Sequence, residues 1–365
     1  MKAQLVILCP AALCILMVCA CSNPSAQAPL KDAGQSDTRK VERLRPLRKL
    51  EGHGDIVSAL AFSPDGETLA SGSHDQRVIL WNIQDSKPRR TLEGHHYWIS
   101  SIAFSSDARI LASASNRDMS FLVVEGKAPA SSGGPQGEVL LWDVNSGKLK
   151  QKLGKAARLN DMSAPDLREL YPATGVAIWP NGRTVAVASY IAYVRFWDIN
   201  TGQYQPPLLS FRGTIEGIAF SPKGDWFAVA RSNEALLYDT AWGKEDSGRS
   251  FRAEKGHIRG VLFSPDGAKL VTVGSSEVVV WDVQTGTRVH TLETETDSHA
   301  AAFSLDGRFI AVASGIEVLL WDQITGEVIQ KITTGESQSP VAFSRDASIL
   351  ATGGQNNEVL LWSVL

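Results

Sequence analysis

The chain has 365 residues, with 36 Lys and Arg against 39 Asp and Glu and a formal net charge of −3. That balance, with no basic stripe interleaved with aromatics, argues against a nucleic-acid-binding protein. The four cysteines, Cys9, Cys14, Cys19 and Cys21, all stand near the start. The rest of the chain has none to pair, and a domain of about 320 residues buries enough core to fold without a disulfide.

Residues 1–21 are a separate object. Lys2 supplies the one positive charge and residues 3–20 are almost wholly apolar, the pattern of a secretory signal. The end, Val18-Cys19-Ala20-Cys21, resembles a bacterial lipobox with Cys21 as the lipidated first residue of the mature protein. Val18 stands where Leu is usual, and Cys19 is unusual at the next place. More than one acyl chain would give lasting anchorage. The alternative is an uncleaved membrane helix, of marginal length and interrupted by Pro10. Either reading puts the remainder outside the cytoplasm, at a membrane of the bacterial envelope.

Residues 22–44 are rich in Ser, Ala, Pro, Gln, Lys and Asp and read as a flexible tether. Arg39, Lys40, Arg43, Arg45, Arg48 and Lys49 cluster at its end. Such a cluster guards an edge strand or is simply solvated; near a bilayer it can also touch anionic headgroups.

From residue 45 to 365 the chain repeats itself, which dictates the architecture. One landmark is an aromatic before a polar turn: Phe62, Phe104, Trp179, Phe220, Phe263, Phe303 and Phe343. The other is an aromatic closing an apolar run: Trp81, Trp142, Trp197, Tyr238, Trp281, Trp321 and Trp362. Over the last four units both recur at about 40 residues, the spacing of four-stranded blades. The runs alternate with period 2, are rich in Val, Ile, Leu and Phe, and are bounded by Gly, Pro, Asn and Asp. The turn Ser-Pro-Asp-Gly at 63–66 and 264–267 presets φ at Pro and positive φ at Gly. The turns ending at Gly147, Gly202, Gly286 and Gly326 read the same way.

These residues resemble the WD40 family, named for the Trp-Asp pairs seen here at 142–143, 197–198, 281–282 and 321–322. The resemblance implies an all-β, seven-bladed WD40 β-propeller. It implies closure by an N-terminal strand, 46–50, completing a last blade that ends after its third strand, so that no sheet edge is left open. It also assigns His53, Ser71, Asp75 and Trp81 to a buried hydrogen-bonded network in blade 1. Those residues invite a catalytic-triad reading, but a triad also needs an oxyanion site and a pocket. Blade 2 keeps His95 and Ser113 with its turn broken by an insertion, and blade 5 keeps His257 and Thr272. Blades 3, 4, 6 and 7 lack the Gly-His pair and are expected to rely on apolar packing.

Two insertions interrupt the spacing, at about 116–137 within blade 2 and about 153–174 between blades 2 and 3, the second with a helical turn near 165–170. Both kinds of connection emerge on the same face of a propeller, so they are expected to form one raised patch. Aromatics gather there: Tyr97, Trp98, Phe121, Tyr171, Tyr190 and Tyr193, candidate anchors for a partner. The bland alternative is that the insertions bury these groups against each other.

The innermost strands supply a second candidate. Four residues before the first landmark stand Ser58, Ser100, Gly175, Glu216, Arg259, His299 and Ser339. Glu216, Arg259 and His299 fall on successive blades at the channel mouth. One carboxylate is not a glycosidase pair, and one His with one carboxylate is a poor metal set. A Glu216–Arg259 ion pair is the simpler reading. The expectation is therefore a non-catalytic, membrane-tethered scaffold, monomeric and without cofactor or metal. It would bind an envelope protein or peptide segment through the face near blades 2 and 3; the alternative is a binder of, or an enzyme acting on, a small polar ligand at the channel mouth.

Overall fold

In the computed structural model the described residues are 44–116, 137–153, 173–189, 193–211, 213–241, 249–334 and 336–364. They form 28 strands and, among themselves, no helix. Period-2 runs bounded by turn residues leave each strand two distinct faces, both of which are buried in most of the inner three strands of a blade. The strands make seven four-stranded sheets, antiparallel throughout. The innermost strand of each sheet packs on that of the next, from Val57–Phe62 through Gln338–Phe343 and back to Val57–Phe62, closing a ring. The fold is the expected seven-bladed β-propeller. Numbered from the N-terminus, the blades cover 57–92, 98–153, 173–210, 215–252, 258–293, 298–333 and 338–363.

Closure follows the expected route. Arg45–Glu51 pairs antiparallel with Glu358–Ser363 and becomes the outer strand of blade 7. Leu50 is buried in that joint, and Lys49 Nζ lies 3.0 Å from Glu358 Oε2. Just before this strand Leu44 is buried and its N–H donates to Gln330 Oε1 of blade 6 at 2.6 Å.

The core lies between blades. One cluster joins Leu80 and Leu92 of blade 1 to Ile99 and Leu111 of blade 2. Another joins Val318 of blade 6, Val341 of blade 7 and Val57 of blade 1. Each sheet thus buries its face against the next, as in face-to-face sheet packing. The a–b and c–d turns (letters from the channel outward) define a lower face; the b–c turns and the connections between blades define an upper face. Gly66 and Gly267 in the Ser-Pro-Asp-Gly turns have φ of 82° and 75°, the region where a side chain is strained.

Two residues of the repeat are out of the place the sequence suggested. Trp179 N–H donates to Thr184 O at 2.8 Å, the bond that Ser63 N–H makes to Thr68 O at 2.8 Å. Trp179 therefore holds the turn serine's place, and Ile178, paired with Val185, holds the place of Phe62, paired with Leu69. The aromatic bulk is moved one residue on and stacks across the blade boundary on Phe220, with ring centroids 5.3 Å apart. The channel position in blade 3 is accordingly Thr174, not Gly175.

Each innermost strand breaks register at that position: at Ser58, Ser100, Thr174, Glu216, Arg259 and His299. The extra residue re-aims a side chain, as bulges do. In the first three blades it is a hydroxyl that stitches one blade to the next. Ser58 Oγ donates to Ile99 O at 2.5 Å, Ser100 Oγ to Ala173 O at 2.7 Å, and Thr174 Oγ1 to Ile215 O at 3.1 Å. Blades 4 to 6 carry longer polar groups instead. The blade 4–5 boundary is correspondingly close: a Cβ on Gly217 would lie 3.0 Å from Gly260 Cα. Ser339 lies outside the described side chains.

Candidate functional site

The blade 1 network comes from four elements. His53 opens the blade, Ser71 sits on the second strand, Asp75 in the turn after it and Trp81 on the third strand. His53 Nδ1 is 2.9 Å from Asp75 Oδ2 and His53 Nε2 is 2.7 Å from Ser71 Oγ, while Trp81 Nε1–H donates to Ser71 Oγ at 2.8 Å. An ionised Asp75 only accepts, so His53 carries its proton on Nδ1 and Ser71 donates to Nε2. Burial pushes the Asp75 carboxyl up, but hydrogen bonds from His53, Gly54 N–H and Arg77 N–H outweigh it and hold it well below the usual carboxylate range. Ser71 has no exposure and its oxygen is shared with an indole, so substrate has no approach. Ser71→Ala is expected to cost about 2–3 kcal/mol, because it leaves Trp81 Nε1 and His53 Nε2 buried without partners; a denaturation series measures it.

The same position varies between blades. Trp142 donates to Ser113, Trp281 to Thr272 and Trp362 to Thr352. Blade 7 therefore has a tryptophan–hydroxyl bond and does not rely on apolar packing alone. In blade 6 Val312 takes the position and Trp321 Nε1 is buried without a partner. His257 of blade 5 is exposed and stands apart from the Trp281–Thr272 bond.

Blade 2 replaces its lost turn aspartate from elsewhere. His95 Nε2 is 2.6 Å from Ser113 Oγ, and Glu138, at the start of the third strand, faces the other side of the ring. Its Oε2 lies 3.6 Å from His95 Nδ1 and accepts His96 N–H at 2.8 Å; its Oε1 is 2.9 Å from His96 Nδ1 and contacts Lys152 Nζ. Burial raises the Glu138 pKa, but these contacts win and hold its carboxyl well below the ordinary range. Burial pushes His95 down, and Glu138 offsets part of that. Sequence reasoning missed Glu138. The signal was present: a Glu four residues before the closing aromatic recurs at 138, 234, 277, 317 and 358, and it pairs with a cation on the outer strand at Arg252, Lys331 and Lys49.

On the upper face the ends of both insertions converge. Asn116 pairs with Gly137 and with Trp98, its Nδ2 donates to Ala173 O at 3.4 Å, and Glu138 holds Lys152 beside Leu153. Trp98 is half-buried and stacks on His74 of blade 1, with centroids 4.4 Å and planes 4° apart. Tyr97 is half-buried beside it. Tyr193 is half-buried at the upper end of its strand, with the Arg195 guanidinium 5.6 Å from its ring centre. Phe121, Tyr171 and Tyr190 lie outside the described residues, as do the segment 165–170 and residues 1–43, Cys21 among them.

At the channel mouth the expected Glu216–Arg259 pair is not formed. Glu216 Oε1 accepts from Thr214 Oγ1 at 2.7 Å, and Arg259 Nη2 donates to Asp297 at 2.6 Å. Asp297 lies in the connection to the next blade, so its carboxylate reaches Arg259 from the side that the channel strands alone do not reveal. Burial pushes His299 down, Arg259 adds to this, and Asp297 opposes it. Arg259 Nε is buried without a partner. The structure thus groups Arg259, Asp297 and His299, with Glu216 engaged elsewhere. Among the described residues no cluster of His, Cys, Asp and Glu fits a metal.

The comparisons with known proteins agree with the fold. The family model "WD domain, G-beta repeat" matches residues 44–82, 86–123 and 247–282. Three segments of the seven-bladed ring therefore match WD40 repeats. The chain is similar to small ribosomal subunit protein RACK1y of Oryza sativa, 38% identical over 73 residues, covering 19% of this chain and 22% of that one. It is 45% identical over 47 residues to the Notchless protein homolog of Arabidopsis thaliana, covering 12% and 10%. It is 38% identical over 63 residues to protein HIR1 of Candida albicans, covering 15% and 7%. Each match spans less than a quarter of the relative's length.

Proposed function

We propose that this protein is a non-catalytic interaction scaffold, tethered to a membrane of the bacterial envelope through lipidated Cys21. The partner is an envelope protein or peptide segment, bound on the upper face at blades 2 and 3. The observation that carries the site is the convergence at Asn116: it joins both ends of one insertion to the end of the next, beside Trp98. Long connections held at rigid ends are where binding usually sits, and Trp and Tyr on a rim are efficient anchors because they bring area at little entropic cost. A second reading, a small polar ligand at the channel mouth, is favoured by the grouping of Arg259, Asp297 and His299.

The test is crosslinking capture from intact cells with the native chain and with Trp98→Ala, Tyr193→Ala. A partner held by the native chain and lost at least tenfold by the variant is the expected result. Equal capture by both overturns the assignment to this face. Capture of nothing by either, with a thermal shift on adding small polar compounds, transfers the function to the channel mouth. In the same cells Cys21→Ser is expected to move the protein from the membrane to the soluble fraction, and unchanged retention overturns lipidation as the sole anchor.

A further inference from the structure

We infer that the lower outer rim of blades 7 and 1 is a docking surface for anionic lipid headgroups, so that the lower face lies toward the bilayer and the upper face away from it. The inference starts from where cations meet. Arg45 and Arg48 stand on the outer strand of blade 7, and Lys87, Arg89 and Arg90 stand on or just before the outer strand of blade 1; all are exposed. They are more than 30 residues apart in sequence and become neighbours because the N-terminal strand closes the ring. The link is direct: Arg48 Nη1 donates to Gln84 O at 3.2 Å and to Ser86 Oγ at 2.9 Å, in the c–d turn that leads to Lys87.

Among the described residues no carboxylate lies in ion-pair range of them. Several outer-strand cations elsewhere are ion-paired, Lys152 with Glu138, Arg252 with Glu234, Arg288 with Glu254 and Lys331 with Glu317, whereas Arg249 bonds only backbone carbonyls. Among the described residues none of the five at the rim of blades 7 and 1 is in an ion pair. The nearest carboxylate in the turn, Asp85, accepts the Lys87 backbone N–H at 3.1 Å. A chain of net charge −3 thus gathers five such cations where blades 7 and 1 meet. Leu47, 45% exposed, stands within it, between Arg45 and Arg48, as an apolar group that can enter a headgroup layer.

The occupant is chosen by the chain that precedes it. Leu44 is clamped to Gln330, and Arg45 pairs with Ser363 at the lower end of its strand. Residues 1–43, with their apolar leader, therefore attach at this rim. Any anchor in the leader raises the local concentration of the patch at the membrane, and each cation engaged by an anionic surface adds about fivefold to binding. The orientation rests on the tether reading above; the patch itself does not.

The experiment uses the full chain carried on vesicles, labelled with a water-soluble amine reagent and read residue by residue by mass spectrometry. Lys87 reports the patch, and Lys255, exposed in the connection on the opposite face, is the control. On vesicles with about one-third anionic lipid, Lys87 labelling is expected to fall at least threefold relative to zwitterionic vesicles, to recover in high salt as charges are screened, and Lys255 to stay constant. Arg45→Ser, Arg89→Ser should remove the protection; Arg89 makes only a 3.5 Å contact with Thr68, so folding is spared. Unchanged Lys87 labelling, or equal protection of Lys255, overturns the docking surface. Loss of the protein from zwitterionic vesicles overturns the anchor alone, and Lys87 on anionic vesicles still decides the patch.

Discussion

Deleting residues 45–50 from the full chain is expected to abolish the native melting transition or lower it by about 10 °C or more. The deletion removes a whole outer strand, not a surface ornament. It removes Leu50, 2% accessible in the native ring, uncovers the apolar groups packed against it, and strips the paired edge from Glu358–Ser363. Burial of such a side chain is worth about 2–3 kcal/mol. The Lys49–Glu358 pair adds little, since Lys49 is largely exposed. The freed edge carries Val359, Leu360, Leu361 and Trp362, an apolar strand ready to pair with another chain. Differential scanning calorimetry with size-exclusion chromatography reads both effects, and an unchanged melting curve for a monomer would refute closure by this strand. Leu50→Ala is the gentler version, expected to cost about 3 kcal/mol.

Glu138→Ala should be nearly as damaging, at about 3 kcal/mol, the lower end of the range for breaking a buried charged network because Lys152 can turn to solvent. It leaves the His96 N–H without its acceptor and removes the carboxylate that lies 3.6 Å from His95 Nδ1, at the base of both insertions. The same residue sets an acid limb. The folded carboxyl titrates far below its ordinary value, so its stabilisation is complete above the unfolded pKa of about 4.3 and is lost as pH falls below it. Asp75 acts in the same sense. Urea denaturation between pH 7 and pH 3 should therefore show a shallower acid decline for Glu138→Gln than for the native chain. Parallel declines would mean that Glu138 is not the ionised centre of this cluster.

The architecture was legible in the residues alone. Alternating runs fix strands and their two faces because the side-chain period is 2. Two aromatic landmarks per unit gave seven blades, and the unpaired run at 46–50 gave the closing strand. His53, Ser71, Asp75 and Trp81 were legible because one blade keeps the whole pattern within a short stretch.

Which side chains meet emerged from the folded ring. Trp179 looked like the landmark aromatic because both positions sit beside the turn; its backbone bonds put it in the serine's place and moved the channel position to Thr174. Arg259 took Asp297 instead of Glu216, because the bulge turns it toward the connection between blades. Glu138 stood in for an absent turn aspartate across an insertion that sequence spacing cannot bridge. The basic residues of blades 7 and 1 became one patch through ring closure. The reason is common to all four. Local pattern sets the pleat and the turn, whereas the partner of a polar side chain depends on how neighbouring sheets curve around the channel and bring distant segments into hydrogen-bond or ion-pair range.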